Sequence, residues 1–129
     1  MAEKIKAEVR KFLEEPRFAV LATLLPDGTP HQAVLWYELQ GDEVLLNTQV
    51  TSQKAVNLKR SMKASICVED GYRYATLYGE MKLVEDPQVA VADLHRLARR
   101  YTGQDAGPDL AHKKRVSLRF KVDRVQTNI

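Results

Sequence analysis

Apolar and polar positions alternate with a period of two along much of this chain, and helical spacing interrupts that pattern in a few places. The first interruption is at the start. Ile5, Val9, Phe12 and Leu13 recur at helical spacing among Glu3, Lys4, Lys6, Glu8 and Lys11, which predicts an amphipathic helix over about 2–14, ended by Pro16. Phe18–Leu24 is rich in β-formers, and Pro26-Asp27-Gly28-Thr29 is a strong turn signal. His31–Leu39 and Glu43–Thr48 follow as strands on either side of a Gln40-Gly41-Asp42 turn, completing a meander. The second strand carries Gln32, Val34, Trp36 and Glu38 on one face and Ala33, Leu35, Tyr37 and Leu39 on the other. Both faces are apolar at the centre, so this strand is expected to be covered on both sides.

Helical spacing returns at Ala55, Leu58 and Met62, with Thr51 or Ser52 as N-cap. Ala64–Glu69 and Tyr72–Glu80 read as strands around an Asp70-Gly71 turn, and Met81–Val84 continues the sheet. Gly79 suits a bulge or a close backbone approach. Tyr72, Tyr74, Thr76 and Tyr78 share one face, suited to a core edge, a dimer interface or a planar ring. Asp86-Pro87 opens a helix with a Val91, Leu94, Leu97, Ala98, Tyr101 stripe, and Gly103 ends it. Residues 102–110 read as a loop that could edge a site. Val116, Leu118, Phe120 and Val122 alternate with polar residues in a last strand, and a polar tail runs from Asp123. The expected architecture is mainly β with peripheral helices: an antiparallel barrel of six or seven strands in one domain, 1–129, with the barrel over about 17–126. Such a barrel holds one small ligand, and a larger pocket needs a second subunit.

The 129 residues carry 44% hydrophobic and 29% charged residues, an ordinary globular composition. A net charge of +3 is too mild for a dedicated nucleic-acid binder. No apolar run reaches membrane-spanning length, and the start lacks a signal peptide's apolar core. The single cysteine, Cys67, forbids an internal disulfide and reads as a buried small side chain. A cytoplasmic protein is expected.

Candidate chemistry centres on Ser52-Gln53-Lys54-Ala55-Val56-Asn57. A strand ends there in a polar loop, and the N–H groups of a helix start favour an anion. Lys54 adds a positive charge; Ser52, Gln53 and Asn57 add hydrogen-bonding groups. This is either a pocket for a phosphate-bearing cofactor or a capped surface helix with solvated lysines. Elsewhere motifs are missing. There is no G-x-G-x-x-G, no phosphate-binding G-x-x-x-x-G-K-[ST] and no G-x-S-x-G. His31, His95 and His112 lack metal-ligand spacing, so no metal is expected. No acid/base or nucleophile set stands out, and the catalytic residues stay unassigned. Chemistry, if any, falls to a cofactor.

The succession Ala19-Val20-Leu21-Ala22-Thr23-Leu24, Asp27-Gly28-Thr29-Pro30-His31, Val34-Leu35-Trp36-Tyr37, Ser52-Gln53-Lys54-Ala55-Val56-Asn57-Leu58 and Asp70-Gly71-Tyr72, then Gly79, resembles the pyridoxamine 5′-phosphate oxidase-like split β-barrel superfamily. Within it the chain is most similar to the deazaflavin (coenzyme F420)-dependent oxidoreductases. The resemblance spans roughly residues 8–126. It implies a homodimer with two cofactor sites between subunits, and hydride transfer from reduced F420 to an unsaturated small molecule. It assigns the cofactor phosphate to Ser52, Gln53, Lys54 and Asn57, with Lys54 the strongest match, and Arg115 as a further anion contact. It gives His31, Gln32, Ala33 and Val34 contacts to the ring system, and Tyr72 an approach to the ring from the partner chain. The extended substrate-phosphate signature of true pyridoxamine phosphate oxidases is not evident, which argues against that substrate. Two alternatives stay open: an FMN-binding flavoprotein on the same barrel, and a non-catalytic cofactor-binding protein.

Overall fold

The alternating segments form one antiparallel sheet. The computed structural model describes residues 4–129. In chain order it contains α1 (Ala7–Glu14), β1 (Ala19–Leu24), β2 (Pro30–Leu35), β3 (Glu38–Gln40), β4 (Glu43–Gln49) and α2 (Gln53–Arg60). Then come β5 (Lys63–Asp70), β6 (Arg73–Val84), α3 (Pro87–Thr102), α4 (Pro108–Ala111) and β7 (Arg115–Asn128). The strand order is β2-β1-β5-β6-β7-β4-β3. The two outermost strands, β2 and β3, are consecutive in sequence, with only Trp36 and Tyr37 between them. A flat sheet cannot place its opposite edges two residues apart. The sheet must roll up, and Trp36-Tyr37 is the corner where the roll meets itself. The seven-stranded, helix-flanked barrel agrees with the sequence expectation.

The inside of the roll is the core. It holds Leu21, Leu46, Ile66, Leu77, Leu118 and Phe120, and α1 packs Val9, Phe12 and Leu13 against it. Gly79 lies where the β6–β7 register shifts, and an added Cβ there would collide with the Lys121 carbonyl oxygen. The close approach read from sequence is therefore present, and no other residue fits.

Several boundaries differ from expectation. The first helix begins at Ala7 rather than near residue 2, with Lys6 at its N-cap; residues 1–3 lie outside the described part. The second strand is not continuous: β2 pairs with β1 and β3 pairs with β4, so the chain must turn between them. Only one face of β2 is covered within the chain, and Val34 on the other is 66% exposed. The 102–110 loop leads into α4, a single helical turn. The expected polar tail is part of β7, which pairs with β6 out to Asn128. It lacks a clear alternation because most of that end is exposed. Cys67 is half-buried rather than buried, since β5 turns its neighbours Ile66 and Val68 inward instead. Among the described residues, no helix is long and apolar enough to cross a membrane.

Candidate functional site

The ends of several elements converge on one cleft of about 460 Å³. Its polar end is built from Asn47, Thr48 and Gln49 of β4, Ser52 and Lys54 at the α2 start, and Arg115 at the β7 start. The β4–β7 register brings this about by setting Gln49 opposite Arg115, just before the chain turns into α2. Ser52 caps α2: its hydroxyl accepts the Ala55 N–H at 3.2 Å and a bond from the Thr48 hydroxyl at 3.0 Å. The loop and helix start are thus fixed before any ligand arrives.

The electrostatics of this end are unusual. Burial, with Arg115 beside it, holds the Lys54 amine below the ordinary lysine value. Burial likewise lowers Arg115, which nonetheless stays charged. Among the described residues neither forms an ion pair. Asn47, itself buried, donates to the Ala90 carbonyl at 2.8 Å and accepts from Arg115 Nε at 2.8 Å. That bond fixes the guanidinium through one donor, and its terminal nitrogens have no partner among the described residues. Two like charges held together without a carboxylate favour an anion that neutralises both.

The other end is apolar. Val34, Leu35 and Trp36 come from β2 and the corner, Leu94 and Leu97 from α3, and Phe18 and Leu110 stand at the margin. Phe18 is 59% exposed, so the rim offers open apolar surface. No carboxylate or histidine is among the lining residues. Among the described residues, no group of histidine, cysteine and carboxylates could hold a metal ion.

Of the residues singled out from sequence, Ser52, Lys54, Arg115 and Val34 meet in this cleft. The others lie elsewhere in the chain. Asn57 is 0% exposed; its amide donates to Thr23 Oγ1 at 3.0 Å and accepts from Gln53 Nε2 at 2.7 Å. These two bonds tie α2 to β1 and keep the amide away from the cleft lining. Gln53 is exposed on α2 and bonded back to Asn57. On β2, His31 is half-buried with an unpaired Nδ1, Gln32 is exposed, and Ala33 packs on the core. None of the three lines the cleft of a single chain. Tyr72 stands 93% exposed in the turn between β5 and β6. Sequence reasoning did not single out Asn47, Thr48, Phe18 or Trp36 as site residues. The one available signal was the polar Asn47-Thr48-Gln49 ending an otherwise apolar strand.

The family model for pyridoxamine 5′-phosphate oxidase matches residues 5–128. The F420H2-dependent biliverdin reductase of Mycobacterium tuberculosis is 30% identical over 125 residues, covering 95% of this chain and 87% of the relative. A solved F420 reductase structure superposes with a TM-score of 0.81 at 28% identity, covering 91% of this chain and 94% of the other. A conserved hypothetical protein of Mycobacterium tuberculosis superposes with a TM-score of 0.78 at 35% identity, covering 98% and 84%. With nearly its whole length matched in sequence and in fold, this chain belongs to the pyridoxamine 5′-phosphate oxidase family.

Proposed function

We propose that this protein is an oxidoreductase that uses reduced coenzyme F420 to reduce an unsaturated small molecule, as a cytoplasmic homodimer. The observation that carries the reading is the cleft's polarity: an unpaired Lys54–Arg115 end opposite an aromatic and aliphatic end. That layout fits a cofactor with an acidic tail and a flat ring. The similarity to an F420-dependent reductase and to an F420 reductase structure supports the choice of deazaflavin.

When bound, reduced deazaflavin supplies a hydride. The chain's residues supply the rest. Lys54, Arg115, the Ser52 hydroxyl and the α2 start would hold the acidic tail. Trp36, Val34 and Leu97 would flank the ring and exclude water from it. Val34 and the rest of the open β2 face lie uncovered in one chain, which suits coverage by a second copy bringing its own groups, Tyr72 among them. With no acidic side chain lining the cleft, the proton that completes a reduction would come from solvent, the substrate or the second subunit.

Parallel titration of the apo-protein with F420 and with FMN tests the reading. F420 is expected to bind tighter, and the loaded protein to reduce an unsaturated acceptor. Tighter FMN binding would favour a flavoprotein on the same barrel, and F420 binding without turnover on any acceptor would favour a carrier.

A further inference from the structure

Tyr101 does not line the cleft, yet it touches both aromatic residues that do. We propose that Tyr101 is a positioning residue for the ring end of the site: its hydroxyl replaces the sheet bond lost at the Trp36-Tyr37 corner, and its ring holds Trp36 in place. The inference rests on the cofactor reading above.

The corner creates a problem that this hydroxyl solves. β2 pairing ends at Leu35 and β3 pairing begins at Glu38, so the Tyr37 N–H has no ladder partner. A buried backbone donor left unpaired is costly. The Tyr37 N–H donates instead to the Tyr101 hydroxyl at 3.1 Å. The hydroxyl in turn donates to the Arg17 carbonyl, with the Tyr37 carbonyl at 3.2 Å. Burial raises its pKa, so the donating proton is retained at physiological pH. Arg17 precedes Phe18, and Tyr37 follows Trp36. One oxygen therefore fixes the two backbone segments that carry the cleft's aromatic residues. The ring adds a second restraint. It lies 5.3 Å from Trp36 at 11° and 5.7 Å from Phe18 at 24°, a three-ring stack with Tyr101 in the middle.

Tyr101→Phe keeps the stack and deletes the hydroxyl. Deazaflavin affinity is expected to fall roughly five- to tenfold, the size of one lost hydrogen bond, with inorganic phosphate affinity unchanged. In a Trp36→Ala background the same substitution should cost less than about twofold, because its effect passes through Trp36. Equal losses for deazaflavin and phosphate, or an undiminished loss in that background, would overturn the proposal. Trp36 is the only tryptophan, so its emission reports on the corner without any ligand. Acrylamide should quench it more readily in Tyr101→Phe; unaltered quenching also overturns the proposal. This arm decides the matter even if the wild-type protein fails to bind deazaflavin, an outcome that defeats the cofactor reading separately. Should Tyr101→Phe not fold, the wild-type protein still decides: the Tyr37 amide should be strongly protected from hydrogen exchange by its bond to the Tyr101 hydroxyl, and fast exchange at that amide overturns the proposal.

Discussion

Arg100 and Arg115 are both half-buried arginines, and their surroundings differ in kind. Arg100 is consumed by structure. Its guanidinium donates to the carbonyls of Tyr37 at 2.9 Å, Glu14 at 2.9 Å, Glu15 at 3.2 Å and Leu13 at 3.3 Å, and lies over the Tyr37 ring. It gathers the carbonyls that end α1 and ties them to α3 and the corner. Arg115 has one such bond, to Asn47, and Lys54 rather than an acid beside it. Residue type alone therefore says little about what a buried arginine does. Unfilled donors in an open cleft separate a binding cation from a bracing one.

That contrast can be broken from either side. Arg100→Ala should have the largest effect, about 3 kcal/mol of lost stability, because several charge-assisted bonds and the packing over the Tyr37 ring go at once, although the Leu13, Glu15 and Tyr37 carbonyls each keep a tyrosine hydroxyl as donor. Denaturant unfolding would read it, and the fraction still folded should bind anions normally. Lys54→Ala should do the reverse: cofactor affinity drops by roughly 1.5–3 kcal/mol in a titration, while the melting temperature holds or rises. Unchanged affinity would end the case for Lys54 as an anion contact. Asn47→Ala should weaken anion binding by about 1 kcal/mol, since Arg115 loses its fixed orientation but keeps its charge. Binding isotherms for all three at two salt concentrations would separate positioning from charge.

The smallest effect is a pH dependence. The folded state lowers the Lys54 value, so folding disfavours its ammonium form. Below the lowered folded value Lys54 is charged in both states and the penalty is complete. It shrinks as pH rises through that value and vanishes above the ordinary lysine value. Lys54→Met should therefore stabilise the free protein slightly near neutrality, and the advantage should disappear at strongly alkaline pH. Denaturation curves at the two extremes would detect it. An advantage that grows with pH would contradict the assigned sign.

Much of the barrel was legible because its signals are local. Gly79, the Asp86-Pro87 helix start and the Ser52 cap each show in a few adjacent residues. The break at Trp36-Tyr37 was not legible, since both residues favour strands and only pairing to two different partners forces the turn. The site was half legible. Ser52 and Lys54 sit in one segment, whereas Asn47 and Arg115 are 68 residues apart and meet only through the β4–β7 register. Asn57 shows the limit from the other side, since it shares that segment yet does not line the cleft. Its spacing beside Leu58 cannot tell an amide turned toward a ligand from one turned into the sheet, where Thr23 receives it.

The pairing of β4 with β7 also sets when this cleft comes into being. During synthesis, Lys54 leaves the ribosome long before Arg115, and the two cations share a pocket only after the last strand docks. A ligand gripped by both has nothing to hold in the early, partly folded chain. Added cofactor should then leave the refolding rate almost untouched and act by slowing unfolding, so that in the cell it would protect finished molecules rather than help make them.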